Sequence, residues 1–129
     1  MSFDVEGMRV FLSGPMTNAP DYGKWAFDAA EEWCMKHGAK EVYNPARLIP
    51  KEGERVHPHE RYMTRTLHEL TGFGPTLEDV DDWFHPLYDV VLLLDGWWRS
   101  QGANSERLVA GACGIECIEF KDAKKWSGE

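Results

Sequence analysis

At 129 residues and 43% apolar content, the chain is long enough for one domain with a real core, and its composition is globular rather than disordered. Its net charge is −8, and its 14 basic residues form nothing larger than the small group Lys121, Lys124 and Lys125. This argues against a nucleic acid polymer as partner but leaves open a small anion held by backbone amides. No apolar run approaches the ~18 residues of a membrane span, and MSFDVEGM lacks the basic and apolar regions of a signal peptide.

The elements follow in chain order. Met8 to Ser13 is a β-rich run closed by Gly14-Pro15, and it predicts the first strand. Residues 14 to 23 form a loop, rich in Gly, Pro, Asn and Asp. A helix is expected over Lys24 to His37, with Trp25, Ala29, Trp33 and Met35 or Lys36 on its core face and Gly38 as its stop. Glu41 to Tyr43 is a short second strand ended by Asn44-Pro45. Lys51 to His59 is charged and broken by proline, hence a surface loop. Glu60 to Leu70 predicts a helix with Tyr62, Met63, Leu67 and Leu70 on one side. A further helix is capped by Thr76 and ends at Pro86. Asp89 to Leu94 is a continuous apolar strand of the kind covered on both faces in a parallel sheet. A helix over about Ser100 to Gly114, a strand over Ile115 to Phe120 and a terminal turn or helix over Asp122 to Trp126 complete the chain. The alternation predicts a single α/β domain over residues 1–129, a Rossmann-like doubly wound parallel sheet.

Three places carry candidate chemistry. Ligands of such sheets sit at the carboxyl ends of strands, beside helix N-termini. Glu106 falls near the start of the helix after the 89–94 strand. It reads either as a partner of the helix dipole or as a catalytic carboxylate. Ser13-Gly14-Pro15 is either a plain turn or a place where a ligand approaches backbone closely. It belongs to neither a G-x-G-x-x-G nor a Gly-Lys-Ser/Thr phosphate loop. Ser100, with the amides of Gly102 and Ala103, is either a helix cap or an anion site. Asp81 and Asp82 precede the 89–94 strand; either one of them reaches the same mouth from the neighbouring helix or they are solvated helix charges, the reading favoured for Asp82. Tyr22, Trp25, Trp97 and Trp98 flank the two loops, as stacking surfaces or as core or dimer contacts, with Trp25 expected in the core. His57-Pro-His59 lacks a third ligand and Cys113 and Cys117 lack partners, so neither a metal nor a cofactor is expected. Three cysteines (the third is Cys34) point to a reducing, cytoplasmic setting.

The segments VFLSGPMTNAPDYGKWAFDAA, YNPARL and YDVVLLLDGWWRSQGANSE together resemble the nucleoside 2-deoxyribosyltransferase-like superfamily, in particular its small branch from bacteria and phages. The chain is also similar to nucleoside 5′-monophosphate N-glycosidases. The resemblance covers a little under half the chain and implies a flavodoxin-like sheet of four to five strands. It implies that Glu106 is the nucleophile and that Asp81, eight residues before Asp89, is the general acid, with Asp82 as the alternate. The close branch carries this acid soon after a Tyr-Met pair. Here Tyr62-Met63 is followed by Thr66 at that place, and about fifteen residues stand inserted before the strand, within an insert spanning about Pro50 to Val80. Six residues before the nucleophile the transferases tend to have an Asp and the nucleotide hydrolases a Ser. Ser100 therefore points to a 5′-phosphate.

The candidate substrate-binding residues are Ser13, Gly14, Pro15 and Met16 on one loop, and Trp97, Ser100, Gly102 and Ala103 on the other. The expected function is cleavage or transfer at the N-glycosidic bond of a nucleoside or nucleoside 5′-monophosphate by a homodimer or larger homo-oligomer. A nucleotide-binding or sensing protein without turnover, and an NAD-cleaving glycohydrolase, are the alternatives.

Overall fold

The computed structural model describes residues 3–16, 19–49, 58–72 and 86–128. Four strands, β1 (Arg9–Ser13), β2 (Glu41–Tyr43), β3 (Val90–Leu93) and β4 (Glu116–Glu119), alternate with helices α1 (Lys24–Lys36), α2 (His59–Thr71), α3 (Gln101–Ala112) and α4 (Phe120–Trp126). The strands form one sheet in the order β2-β1-β3-β4, with every pairing parallel. This is a doubly wound, flavodoxin-like α/β sheet. The predicted strands and helices within the described residues recur to within two residues at either end. The predicted 76–86 helix and most of the insert lie outside the described residues. No described helix is long and apolar enough to cross a membrane.

Residue parity decides what each face of the sheet meets, because successive side chains of a strand point to opposite sides. Val10, Leu12, Val90 and Leu92 join Phe27, Ala30 and Cys34 of α1 and Ala123 of α4 in one core. Phe11, Val91 and Leu93 join Leu70 of α2 and Ala110 of α3 in the other, with Tyr88 and Ile115. Ser13 shares the parity of Phe11 and so belongs to the α2–α3 face. Burying the larger of these side chains stabilises the fold by roughly 2 kcal/mol each.

The face of α1 differs from expectation. Trp25 is not core: it is 83% exposed, and Ala29 and Met35 also face solvent. The buried stripe is Phe27, Ala30, Trp33 and Cys34. Two helical stripes share Trp33. The one carrying small Ala30 and Cys34 lets the helix lie close on β1, whereas the Trp25 stripe would wedge it away. Gly38, at φ +86, ends the helix as predicted.

Because β1 has β2 on one side and β3 on the other, the strand order reverses between β1 and β3. Their carboxyl ends open the crevice where ligands of such sheets bind. Ser13 pairs with Leu93, and the Leu94 N–H donates to the Ser13 carbonyl at 2.8 Å.

Candidate active site

Glu106 sits in that crevice. It is the sixth residue of α3 and thus lies in the second turn, beyond the reach of the helix N-terminal dipole. It is also 5% exposed, so the reading as a solvated dipole partner fails. The Ser13 hydroxyl, fully buried on β1, donates to Glu106 Oε1 at 2.6 Å. From the other side the buried Thr66 hydroxyl of α2 hydrogen-bonds the same carboxyl and lies 3.3 Å from the Met63 carbonyl. Burial pushes the Glu106 carboxyl up to about 7 from the ordinary 4.5, and the hydrogen bonds from Ser13 and Thr66 pull it back down.

Glu106 lines a cavity of about 220 Å3 whose walls are mostly apolar: Met16, Tyr22, Pro45, Ile49, Tyr62 and Met63. Gly14, Ser100, Gly102 and Ala103 complete it towards the two loops. Met16, His59, Ser100 and Gly102 are shared with a wider groove of about 870 Å3. Pro15, Asp95, Gly96 and Arg99 line the far part of this groove. The cavity and groove therefore form two adjoining compartments, one apolar with an acid, the other wider and more polar.

Local chemistry builds the rim. Ser100 caps α3 by accepting the Ala103 N–H at 3.2 Å. The Asn104 amide fastens the preceding loop by donating to the Ser100 carbonyl at 2.9 Å and to those of Trp97 and Trp98. A Cβ on Gly14 would stand 2.8 Å from the Leu94 Cβ, so the first loop needs glycine for the two strand ends to meet. Asp21 and Tyr22 both hold left-handed backbone (φ 50 and 53), followed by Gly23 at φ +72. Consecutive left-handed residues other than glycine cost about 1–2 kcal/mol each, and this turn puts Tyr22 on the cavity wall. Such strain is concentrated at functional sites.

The structure brings together most of the residues marked in the sequence. Gly14, Met16, Ser100, Gly102, Ala103 and Glu106 line the cavity, Ser13 holds its acid and Pro15 lines the groove. Trp97 belongs elsewhere: it packs into the α2–α3 core and its indole N–H donates to Glu119 of β4 at 2.9 Å, with Arg107 over its ring. The loop turns at Gly96, and that turn sends the indole towards β4, away from the cavity. Asp81, Asp82 and His57 lie outside the described residues. The α2 contributors His59, Tyr62, Met63 and Thr66 were not marked as site residues. Their signal is a polar Thr66 inside the stripe formed by Tyr62, Met63 and Leu70. Asn44 caps the Pro45–Leu48 turn through the Ala46 N–H, which sets Pro45 into the wall.

No curated protein and no solved structure matches the chain. A family model described as a domain of unknown function (DUF4406) matches residues 8–76, which carry β1, α1, β2 and α2. With just over half of its length matched, the chain belongs to the DUF4406 family.

Proposed function

We propose that the protein breaks or exchanges the N-glycosidic bond of a nucleoside or nucleoside 5′-monophosphate, with Glu106 as nucleophile. The observation that carries the reading is one buried carboxylate, hydrogen-bonded by two hydroxyls, lining an apolar cavity at the β1–β3 crevice. The resemblance of the SGPMT, NPA and GW-x-x-S-x-GA-x-x-E segments to the nucleoside 2-deoxyribosyltransferase-like superfamily supports it.

In this reading the planar base enters the cavity between Tyr22 and Tyr62, and the sugar lies towards the groove. A 5′-phosphate lies along the groove near Ser100 and Arg99. Leaving of the base develops positive charge at C1′, and the Glu106 carboxylate stabilises it or bonds to it. Water then gives a hydrolase, and a second base gives a transferase. Protonation of the departing base falls to a general acid, for which Asp81, or Asp82 in its place, is the candidate outside the described residues.

One observation favours a second reading, binding without turnover: within the described residues Thr66, which is no acid, faces Glu106. Chromatographic detection of free base from a panel of nucleosides and monophosphates separates the two. Intact substrates, or equal turnover by Glu106→Ala, would sink the catalytic reading. Calorimetric binding without base release would establish the second.

A further inference from the structure

The two compartments share a short rim, and its residues differ sharply in what they can do. A base held in the cavity and a sugar in the groove are joined by the very bond to be broken, so that bond crosses the rim. Met16 and Gly102 carry no acidic proton there, and a serine hydroxyl such as that of Ser100 is a poor acid. Among the described residues, His59 is the remaining rim residue.

Helix packing fixes where it stands. A Cβ on Gly102 would lie 3.0 Å from Met63 Sδ and 3.6 Å from His59 Cε1, and Thr66 meets Glu106. Helix α2 therefore runs alongside α3 in the same direction, laying His59, Met63 and Thr66 along Gly102 and Glu106. Positions 102 and 106 are neighbours one turn apart, about 5–6 Å between Cβ atoms. The imidazole thus stands about one helical turn above the carboxyl, on the same side of the cavity mouth.

We propose that His59 is the proton donor to the departing base and, in hydrolysis, the acceptor of the proton from water. This rests on the N-glycosidic reading of Glu106. The C1′–N bond breaks with its electron pair going to the base, which takes a proton from the imidazolium. The Glu106 carboxylate bonds to C1′. Water then attacks C1′, gives its proton to the imidazole and releases the carboxylate, so donor and nucleophile both return to their starting states. Among the described residues, the charged and titratable groups that line the two compartments with His59 or share its helix turn are Glu106 of α3, Asp95 and Arg99 of the groove, Tyr22 of the left-handed turn, and Glu60 and Tyr62 of its own helix. Phenols are far weaker acids than imidazolium, so the two tyrosines do not compete for the role.

The test uses the whole protein and two substrates, a purine 2′-deoxynucleoside 5′-monophosphate and its N7-methylated form. The methylated base already carries positive charge while bound to the sugar, leaves neutral when it takes the bond's electron pair, and needs no proton. His59→Gln is expected to lower release of the unmodified base by a hundredfold or more, the usual scale of general acid catalysis (~10²–10⁴). Release of the methylated base should stay within about threefold of wild type, the same order on that scale. Equal loss on both substrates means that His59 only shapes the mouth and overturns the assignment. Unchanged turnover in His59→Gln also overturns it, as does a substrate split shown by Asp81→Asn instead. Absence of release from both substrates by the wild-type protein has a different meaning: it removes the N-glycosidic reading, and this one with it.

Discussion

Replacing Glu106 with Gln should make the protein more stable above neutrality and, on the proposed N-glycosidic reading, abolish base release. The side chain is almost fully enclosed, and burial raises its carboxyl from the ordinary 4.5 to about 7. The folded protein therefore holds this proton more tightly than the unfolded chain does. Stability falls as pH rises from the ordinary value towards the folded one, and above that the whole cost of a buried charge is present. At about 1.4 kcal/mol for each tenfold change in proton affinity, the gap between 4.5 and about 7 amounts to about 3 kcal/mol. Gln keeps the shape and can still accept the Ser13 hydroxyl bond, but it carries no charge. Urea unfolding of wild type and Glu106→Gln at a series of pH values reads the difference directly. Near pH 5 the two should agree within about 1 kcal/mol, the scale of one altered hydrogen bond. By pH 8 the variant should lead by about 3 kcal/mol, or roughly 10 °C in Tm for a domain of this size. A variant equally or less stable than wild type at pH 8, or a difference that does not change with pH, would refute the account of Glu106 as a charge buried at a cost.

Three other outcomes follow from the same geometry. Ser13→Ala removes the 2.6 Å bond that pulls the Glu106 carboxyl down, so the acid limb of the activity profile should move upward from about 7, read by kcat/KM against pH. Gly102→Ala places a methyl group 3.0 Å from Met63 Sδ. The flexible thioether can yield, so stability should fall by less than about 1 kcal/mol in thermal unfolding, while the narrowed mouth raises KM about tenfold or more. Gly23→Ala meets both φ +72 and a Cβ only 2.4 Å from the Pro15 carbonyl oxygen. It should cost about 2–3 kcal/mol in urea unfolding, and turnover should fall with it because Tyr22 is displaced.

The fold was legible because its strands are short, apolar and punctuated. The run at residues 89–94 and the Gly14-Pro15 and Asn44-Pro45 breaks mark strand ends that the structure reproduces. The pairing of Ser13 with Glu106 was half legible: both lie after strand positions that meet at one crevice, yet only parity says that Ser13 faces α3. The failures arise where several side chains compete for one place. On α1 two stripes have equal helical periodicity, and sheet packing selected the one with small residues and exposed Trp25. Trp97 has the right position in its loop but the wrong direction, set by the turn at Gly96 and the acceptor on Glu119. Thr66 stands out only once α2 is seen beside α3, because a lone Thr in a helix is otherwise ordinary.

The bond between Ser13 and Glu106 also divides the cavity by stiffness. Ser13 is the last residue of a central strand, locked to β3 by parallel pairing and by the Leu94 amide. Hydrogen exchange at the Leu94 amide is expected to require opening of the sheet, the costliest event open to a small domain. Tyr22, by contrast, sits on a turn outside the ladder, and Tyr62, Met63 and Thr66 sit on a helix that meets the sheet through side chains rather than through backbone pairing. The acid is thereby referenced to the frame while the walls around it can be altered one at a time. Such a division lets one buried carboxylate stay in register while substitutions in the walls change the shape of the space in front of it.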